Sequence, residues 1–229
     1  MRSIPRVGRT GARLTQIDGT MPRLDAIPPG CAFHPRCPQR FDPCDRERPP
    51  LFETADRLAA GGIGALYHGR MEYGPRALGA RSILANPADA RVNHTLNERL
   101  QRSEFMPFAP VVAEADAGEV FDLGGVNRYA ARFMTICCAV RPQWRTRIAA
   151  VVHIDGSARP QIIGRAGNPL YFDVLAAFKA RTGLPVLVNT SFNVHEEPIV
   201  NRPEECLKAL VDGRVDFVTT ADAVWERNP

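Results

Sequence analysis

Apolar positions along the chain follow two regimes that meet near residue 53. From Thr54 onward they recur with helix or strand periods. Thr54–Ala60 reads as the end of a helix and Ile63–His68 as a short strand. Asn86-Pro87-Ala88-Asp89 predicts a helix start, with Asn at the N-cap, Pro at the first turn and an acid beside the positive helix end. Val92, Leu96 and Leu100 then mark one helix face. Arg132–Val140 and Val151–Ile154 read as strands. Asn168-Pro169 opens another helix with Tyr171, Leu175 and Phe178 facing inward, and Gly183 closes it. Val186–Val188 reads as a buried strand, Pro203–Leu210 as a last helix and Val215–Thr219 as a final strand. Helices and strands mix without strict alternation, which predicts an α+β (mixed α/β) fold for residues 54–229.

Residues 1–53 show no such period. Eleven glycines and prolines between Gly11 and Pro50 punctuate them too closely for regular elements or a large core. Cys31, Cys37 and Cys44 stand in this stretch at C-x₅-C-x₆-C. Two readings stay open for them, ligation of a soft metal or iron–sulfur cluster and reduced thiols. The spacing matches no zinc rule, and no fourth cysteine follows Cys44 before Cys137, which argues against a cluster. Ser3–Arg6, Leu14–Arg23 and Gly30–Leu51 resemble the C-terminal extension of oligopeptide/dipeptide ABC-transporter ATP-binding subunits. The resemblance implies a region that follows an ATPase core. No G-x-x-x-x-G-K-[ST] string occurs, so P-loop-driven transport by this chain is excluded.

Composition narrows the partners. Hydrophobic residues make up 45% and charged residues 24%, as in ordinary globular proteins. No apolar run reaches the roughly 18 residues of a membrane span, and no apolar stretch follows the basic N-terminus, so the expectation is a cytoplasmic chain. The net charge of +4 is mild. Without a Lys/Arg cluster interleaved with aromatics, it favours an anionic small molecule over nucleic acid. His34, His68, His94, His153 and His195 show no H-x₃-H spacing, so no metal site is expected on them. Cys137, Cys138 and Cys206 read as core residues, the first two on opposite faces of a strand.

The densest candidate chemistry is the string from His68 to Ser82. It holds Arg70, Arg76 and Arg81 among three glycines and a proline. Arginine forks and free backbone N–H groups on a tightly turning loop make a phosphate site. A solvated basic loop is the competing reading for any one such string. Two further patches join it. In Val151–Gln161 a turn leads to Arg159, and in Pro185–Asn193 an apolar strand ends in Asn189, Thr190, Ser191 and Asn193. Amide and hydroxyl groups past a strand end suit a carbamoyl or nucleotide group, though turn-making and capping account for any single one equally well.

Gly69–Ser82, Glu104–Pro110, Val152–Gln161 and Leu187–Val200 together resemble the C-terminal domain of the carbamoyltransferases of antibiotic biosynthesis and nodulation, in the expected order along residues 54–222. The resemblance implies a YrdC-like fold, with a twisted mixed sheet and flanking helices. It implies an activity that converts carbamoyl phosphate plus ATP to carbamoyl-adenylate. An N-terminal domain of the actin-like ATPase type, with a bound metal, then passes the carbamoyl group to an acceptor hydroxyl. Arg76 and Arg81 would grip phosphate with Arg70 and Ser82 nearby, Arg159 would hold carbamoyl phosphate or the polyphosphate, and Asn189 and Thr190 would line the cleft. Mg²⁺ would arrive on ATP. The sequence departs from the family at Met106, where many members have Arg, and at Gln101, where many have Lys; Arg102 is the candidate to replace that charge. Arg202 stands where a Thr often caps the last helix, an exchange worth about 1 kcal/mol.

No part of the sequence corresponds to the acceptor domain. The expectation is therefore a carbamoyltransferase C-terminal domain that needs a separate chain to complete transfer. Two alternatives remain: a chimeric or truncated product, and a fragment associated with a peptide-transporter subunit.

Overall fold

The computed structural model describes residues 50–102, 108–124 and 128–227. These belong to the second of two units, which begins at Pro50. Cys31, Cys37, Cys44 and Met106 lie outside the described residues. In chain order the helices are α1 (Pro50–Ala59), α2 (Arg91–Arg99), α3 (Ala117–Val120), α4 (Arg128–Ala131), α5 (Pro142–Arg145), α6 (Pro169–Thr182) and α7 (Pro203–Val211). The strands are β1 (Gly64–Tyr67), β2 (Arg81–Ala85), β3 (Ala109–Ala113), β4 (Phe121–Asp122), β5 (Cys138–Val140), β6 (Ser157–Ala158), β7 (Gln161–Ile163), β8 (Val186–Ser191), β9 (Phe217–Thr219) and β10 (Val224–Glu226).

The main sheet has the order β10-β9-β1-β2-β8-β3-β7, and β4-β5-β6 form a small second sheet. The β1–β9 and β3–β7 pairs are parallel and the other pairs antiparallel, which makes the main sheet mixed. Its central strands are buried residue after residue: all five positions of both β2 and β3, and the first four of β8. Continuous burial of that kind requires cover on both faces. Helices α1 and α6 pack on each other, and α6 also meets β3 and β8. Burying each large aliphatic or aromatic side chain there contributes roughly 1.5–3 kcal/mol.

Helix α6 forms where its local signals place it. The Asn168 side-chain oxygen accepts from the Tyr171 N–H at 3.1 Å, Pro169 occupies the first turn, and Gly183 ends the helix at φ +70°. Tyr171, Val174, Leu175 and Phe178 are buried. In α7, Arg202 cannot accept a capping bond. Instead the Glu205 carboxylate accepts from the N–H groups of Asn201 at 2.8 Å and Arg202 at 2.9 Å.

Three elements depart from the sequence expectation. The helix expected at Asn86 starts at Arg91, because Asn86 and Asp89 each turn their side-chain oxygens onto the backbone two residues on, at Ala88 and Arg91. Of the strand expected over Arg132–Val140, only Cys138–Val140 is one. Met134 adopts φ +53°, and the Thr135 hydroxyl donates back to the Ala130 carbonyl, so the run turns before it can pair. Val151–Ile154 is no strand either. A 3₁₀ turn over Ala149–Val151 leads into a tight loop with Gly156 at φ +79°, and Ile154 stands fully exposed at its tip.

Candidate functional site

The His68–Ser82 string makes the connection of the β1–β2 hairpin over residues 68–80 and then opens β2, the last pair being Tyr67 opposite Arg81. Two side chains close its neck. The Arg81 guanidinium donates to the carbonyls of His68 at 3.0 Å, Gly69 at 3.0 Å and Ala80 at 2.9 Å, and it lies 3.8 Å over the Tyr67 ring. One Glu72 carboxylate oxygen accepts from the N–H groups of Leu78 at 2.7 Å, Ala80 at 2.6 Å and Arg81 at 3.3 Å. Gly79 passes at φ +115° directly against the Tyr171 ring. The loop is thus pinned from inside, and its outer part presents Arg70, Tyr73 and Arg76 to solvent.

Arg76 meets four other candidate residues in one cleft. Arg102, Arg159, Asn189 and Thr190 line it with Arg76, and Phe108 and Met134 supply apolar wall. Arg102 follows the end of α2 by three residues, Arg159 comes from the β6–β7 connection, and Asn189 and Thr190 from central strand β8. Arg102 donates to the Thr190 hydroxyl at 2.9 Å and lies 5.0 Å over the Phe108 ring. Burial pulls its guanidinium below the usual value. Arg159 is lowered by burial first and by the positive charge of Arg76 second. A guanidinium stays charged under such shifts. Among the described residues, none of the three makes an ion pair with a carboxylate. Asn189 is 1% exposed. Its amide nitrogen donates to the Ala77 carbonyl at 3.0 Å and to the Gln161 side-chain oxygen at 2.7 Å. Its own oxygen is buried without a hydrogen-bond partner. The cleft can therefore receive an anion that also carries a hydrogen-bond donor.

Of the eight residues singled out in the sequence, the structure brings Arg76, Arg102, Arg159, Asn189 and Thr190 together. Arg70 stays exposed on the loop, Ser82 is fully buried in β2, and Arg81 is 3% exposed with both terminal nitrogens donating to carbonyls. Glu72, Gln161 and Met134 were missed. Glu72 lies inside the arginine string and was legible there as the one acid among its cations. Gln161 and Met134 carry no local signal, because only the fold brings them to Asn189.

The expectation that all three later cysteines are core holds for Cys138 and Cys206 but not for Cys137, which is exposed just before β5 begins. Burial pushes the Cys138 thiol up to about 11, with Cys137 and Asp122 adding to it, and the Cys206 thiol up to about 12. Both thiols thus stay protonated well past neutrality. At about pH 8 a thiol reagent should modify Cys137 in the folded protein and reach Cys138 and Cys206 only on denaturation. Comparing native thiol counts of wild type and Cys137→Ser checks this: the expected difference is one equivalent.

Residues 55–227 match the family model described as "Carbamoyltransferase C-terminus", and residues 1–44 match "Oligopeptide/dipeptide transporter, C-terminal region". The nodulation protein NolO of Bradyrhizobium diazoefficiens is 39% identical over 177 residues, covering 77% of this chain and 32% of that protein. The 3'-hydroxymethylcephem-O-carbamoyltransferase of Amycolatopsis lactamdurans is 36% identical over 175 residues, covering 76% and 32%. The chain spans about a quarter to a third of the length of the curated relatives it matches. Among solved structures, full-length HypF in its phosphate- and nucleotide-bound form superposes with TM-score 0.53 at 18% identity, covering 82% of this chain and 29% of that one. Sua5 of P. abyssi, complexed with L-threonine, superposes with TM-score 0.52 at 11% identity, covering 74% and 46%. These likenesses bear out the YrdC-like fold. By the family match over most of its length, the chain belongs to the carbamoyltransferase C-terminal domain family.

Proposed function

We propose that the cleft binds carbamoyl phosphate and ATP and forms carbamoyl-adenylate, for later O-carbamoylation of an acceptor. The observation that carries this is the convergence of Arg76, Arg102 and Arg159 beside a buried amide, with no carboxylate paired to them among the described residues. Arg76 and Arg159 repel each other across the cleft until an anion arrives, and Arg102 and Arg159 have given up part of their hydration. A phosphate or polyphosphate relieves that repulsion and gains charge-assisted bonds. The reaction balances as follows. Water cleaves carbamoyl phosphate to carbamate and inorganic phosphate. A carbamate oxygen then attacks the α-phosphorus of ATP, and pyrophosphate leaves. Fixed positive charge serves both steps, since phosphoryl and nucleotidyl transfer depend on positioning and charge neutralisation. Mg²⁺ would enter on the ATP phosphates rather than in a protein cage. Transfer to the acceptor hydroxyl is assigned to the part of the relatives that this chain does not match.

Titration calorimetry with carbamoyl phosphate, then with a non-hydrolysable ATP analogue, tests the reading. Arg76→Ala should weaken binding about tenfold to hundredfold, the loss of one charge-assisted contact. Pyrophosphate exchange into ATP should require carbamoyl phosphate. A folded wild-type chain that binds neither ligand would overturn the assignment.

A further inference from the structure

We propose that Gln161 is a positioning residue that sets the cleft's preference for a carbamoyl group, by holding the Asn189 carboxamide with its oxygen toward the ligand. The proposal rests on the reading of the cleft as a carbamoyl phosphate site.

A carboxamide has opposite hydrogen-bonding ends, and its orientation follows from what each end meets. The chain of orientation starts at the Leu78 backbone, whose N–H is held by Glu72. The Leu78 carbonyl can only accept, so the group facing it at 3.0 Å is the Gln161 amide nitrogen. The Gln161 oxygen therefore faces the other way and accepts from the Asn189 nitrogen at 2.7 Å. The Ala77 carbonyl, a second obligate acceptor, meets the same Asn189 nitrogen at 3.0 Å. Both donors of that nitrogen are spent on the protein. The Asn189 oxygen is left buried without a partner, on a residue that lines the cleft. Gln161 is 2% exposed, and the Tyr171 hydroxyl donates to the same Gln161 oxygen at 3.5 Å, a second contact that favours this orientation.

The consequence is chemical. Three arginines recognise the phosphate of any acyl phosphate equally. The unpartnered oxygen recognises a donor beside it. Carbamoyl phosphate offers an NH₂ group where acetyl phosphate, of nearly the same shape, offers a methyl group. A buried acceptor left facing methyl is penalised, and sites built this way discriminate far better than shape alone.

The test compares dissociation constants of carbamoyl phosphate, acetyl phosphate and inorganic phosphate for wild type, Gln161→Met and Gln161→Glu. Wild type should prefer carbamoyl over acetyl phosphate by at least about tenfold. Gln161→Met keeps the volume but offers only a weak thioether acceptor, leaving Asn189 one strong hold, at Ala77, in place of two; the ratio should then fall to within about threefold while inorganic phosphate affinity, set by the arginines, changes little. A buried, protonated carboxyl group at this position would offer both an acceptor and a donor, so Gln161→Glu should restore the ratio. Should Gln161→Met not melt as a folded protein, Gln161→Ser takes its place, being too short to reach Asn189. A wild-type ratio near one, or a ratio that survives Gln161→Met, would overturn the proposal and leave the anion cleft standing. A wild type that binds none of the three ligands would remove both.

Discussion

Gly79→Ala should cost about 3–5 kcal/mol of folding stability, enough to consume much of the 5–15 kcal/mol of a typical domain. Two terms add. The residue sits at φ +115°, where an L side chain pays roughly 1–3 kcal/mol in strain. A Cβ there would also lie 2.2 Å from one Tyr171 ring carbon and 2.8 Å from two others. Overpacking of that kind costs a further 1–3 kcal/mol or so. The ring cannot step aside. It is fully buried, and the Tyr171 N–H is held by the Asn168 cap at the first turn of α6. Gly69→Ala is the control. That glycine is also left-handed, at φ +57°, but has open space where the methyl would go. It should lose only about 1–2 kcal/mol. Urea denaturation of the two variants reads the difference. Equal midpoints would mean that the Gly79–Tyr171 contact contributes nothing.

This contact also marks where the sequence stopped being readable. Helix α6 was legible because its signals are local: Asn168, Pro169 and Gly183 each act within a few residues. Strands β2 and β3 escaped notice. Buried on both faces, they show no alternation. β2 begins inside the arginine string, and β3 carries Pro110, which argues against a central strand. Pro110 is tolerated because β7 pairs with β3 only from Val111 onward. The cleft was legible as a set of residue types and less so as a set of roles. Arg76 and Arg81 look alike in sequence, yet one is exposed at the cleft and the other is a buried clamp. What separates them is the strand pairing that places Arg81 opposite Tyr67, and that pairing is long-range information.

Glu72 extends the same lesson to an acid. Glu72→Ala should lower stability by about 3–4 kcal/mol and weaken phosphate binding at least about tenfold. One carboxylate oxygen serves three backbone N–H groups, two of them within 2.7 Å. Hydrogen bonds to a charged acceptor contribute roughly 1.5–3 kcal/mol each, and water admitted by the truncation offsets part of the loss. The binding effect follows because Arg76 and Ala77 sit on the loop that those bonds close: Arg76 lines the cleft, and the Ala77 carbonyl helps hold Asn189. Glu72→Gln keeps a neutral acceptor and should lose less on both counts. A cycle with Arg81→Ala separates a local cap from a shared clamp. Arg81 closes the neck through the carbonyls of residues 68, 69 and 80, while Glu72 closes it through the N–H groups of 78, 80 and 81. If the two act on one closed loop, the double variant should lose less than the sum of the singles, because once the neck opens the second partner has nothing left to hold. Strict additivity in denaturant midpoints, with phosphate affinity unchanged by Glu72→Ala, would mean that the arginine cleft is positioned from elsewhere in the fold.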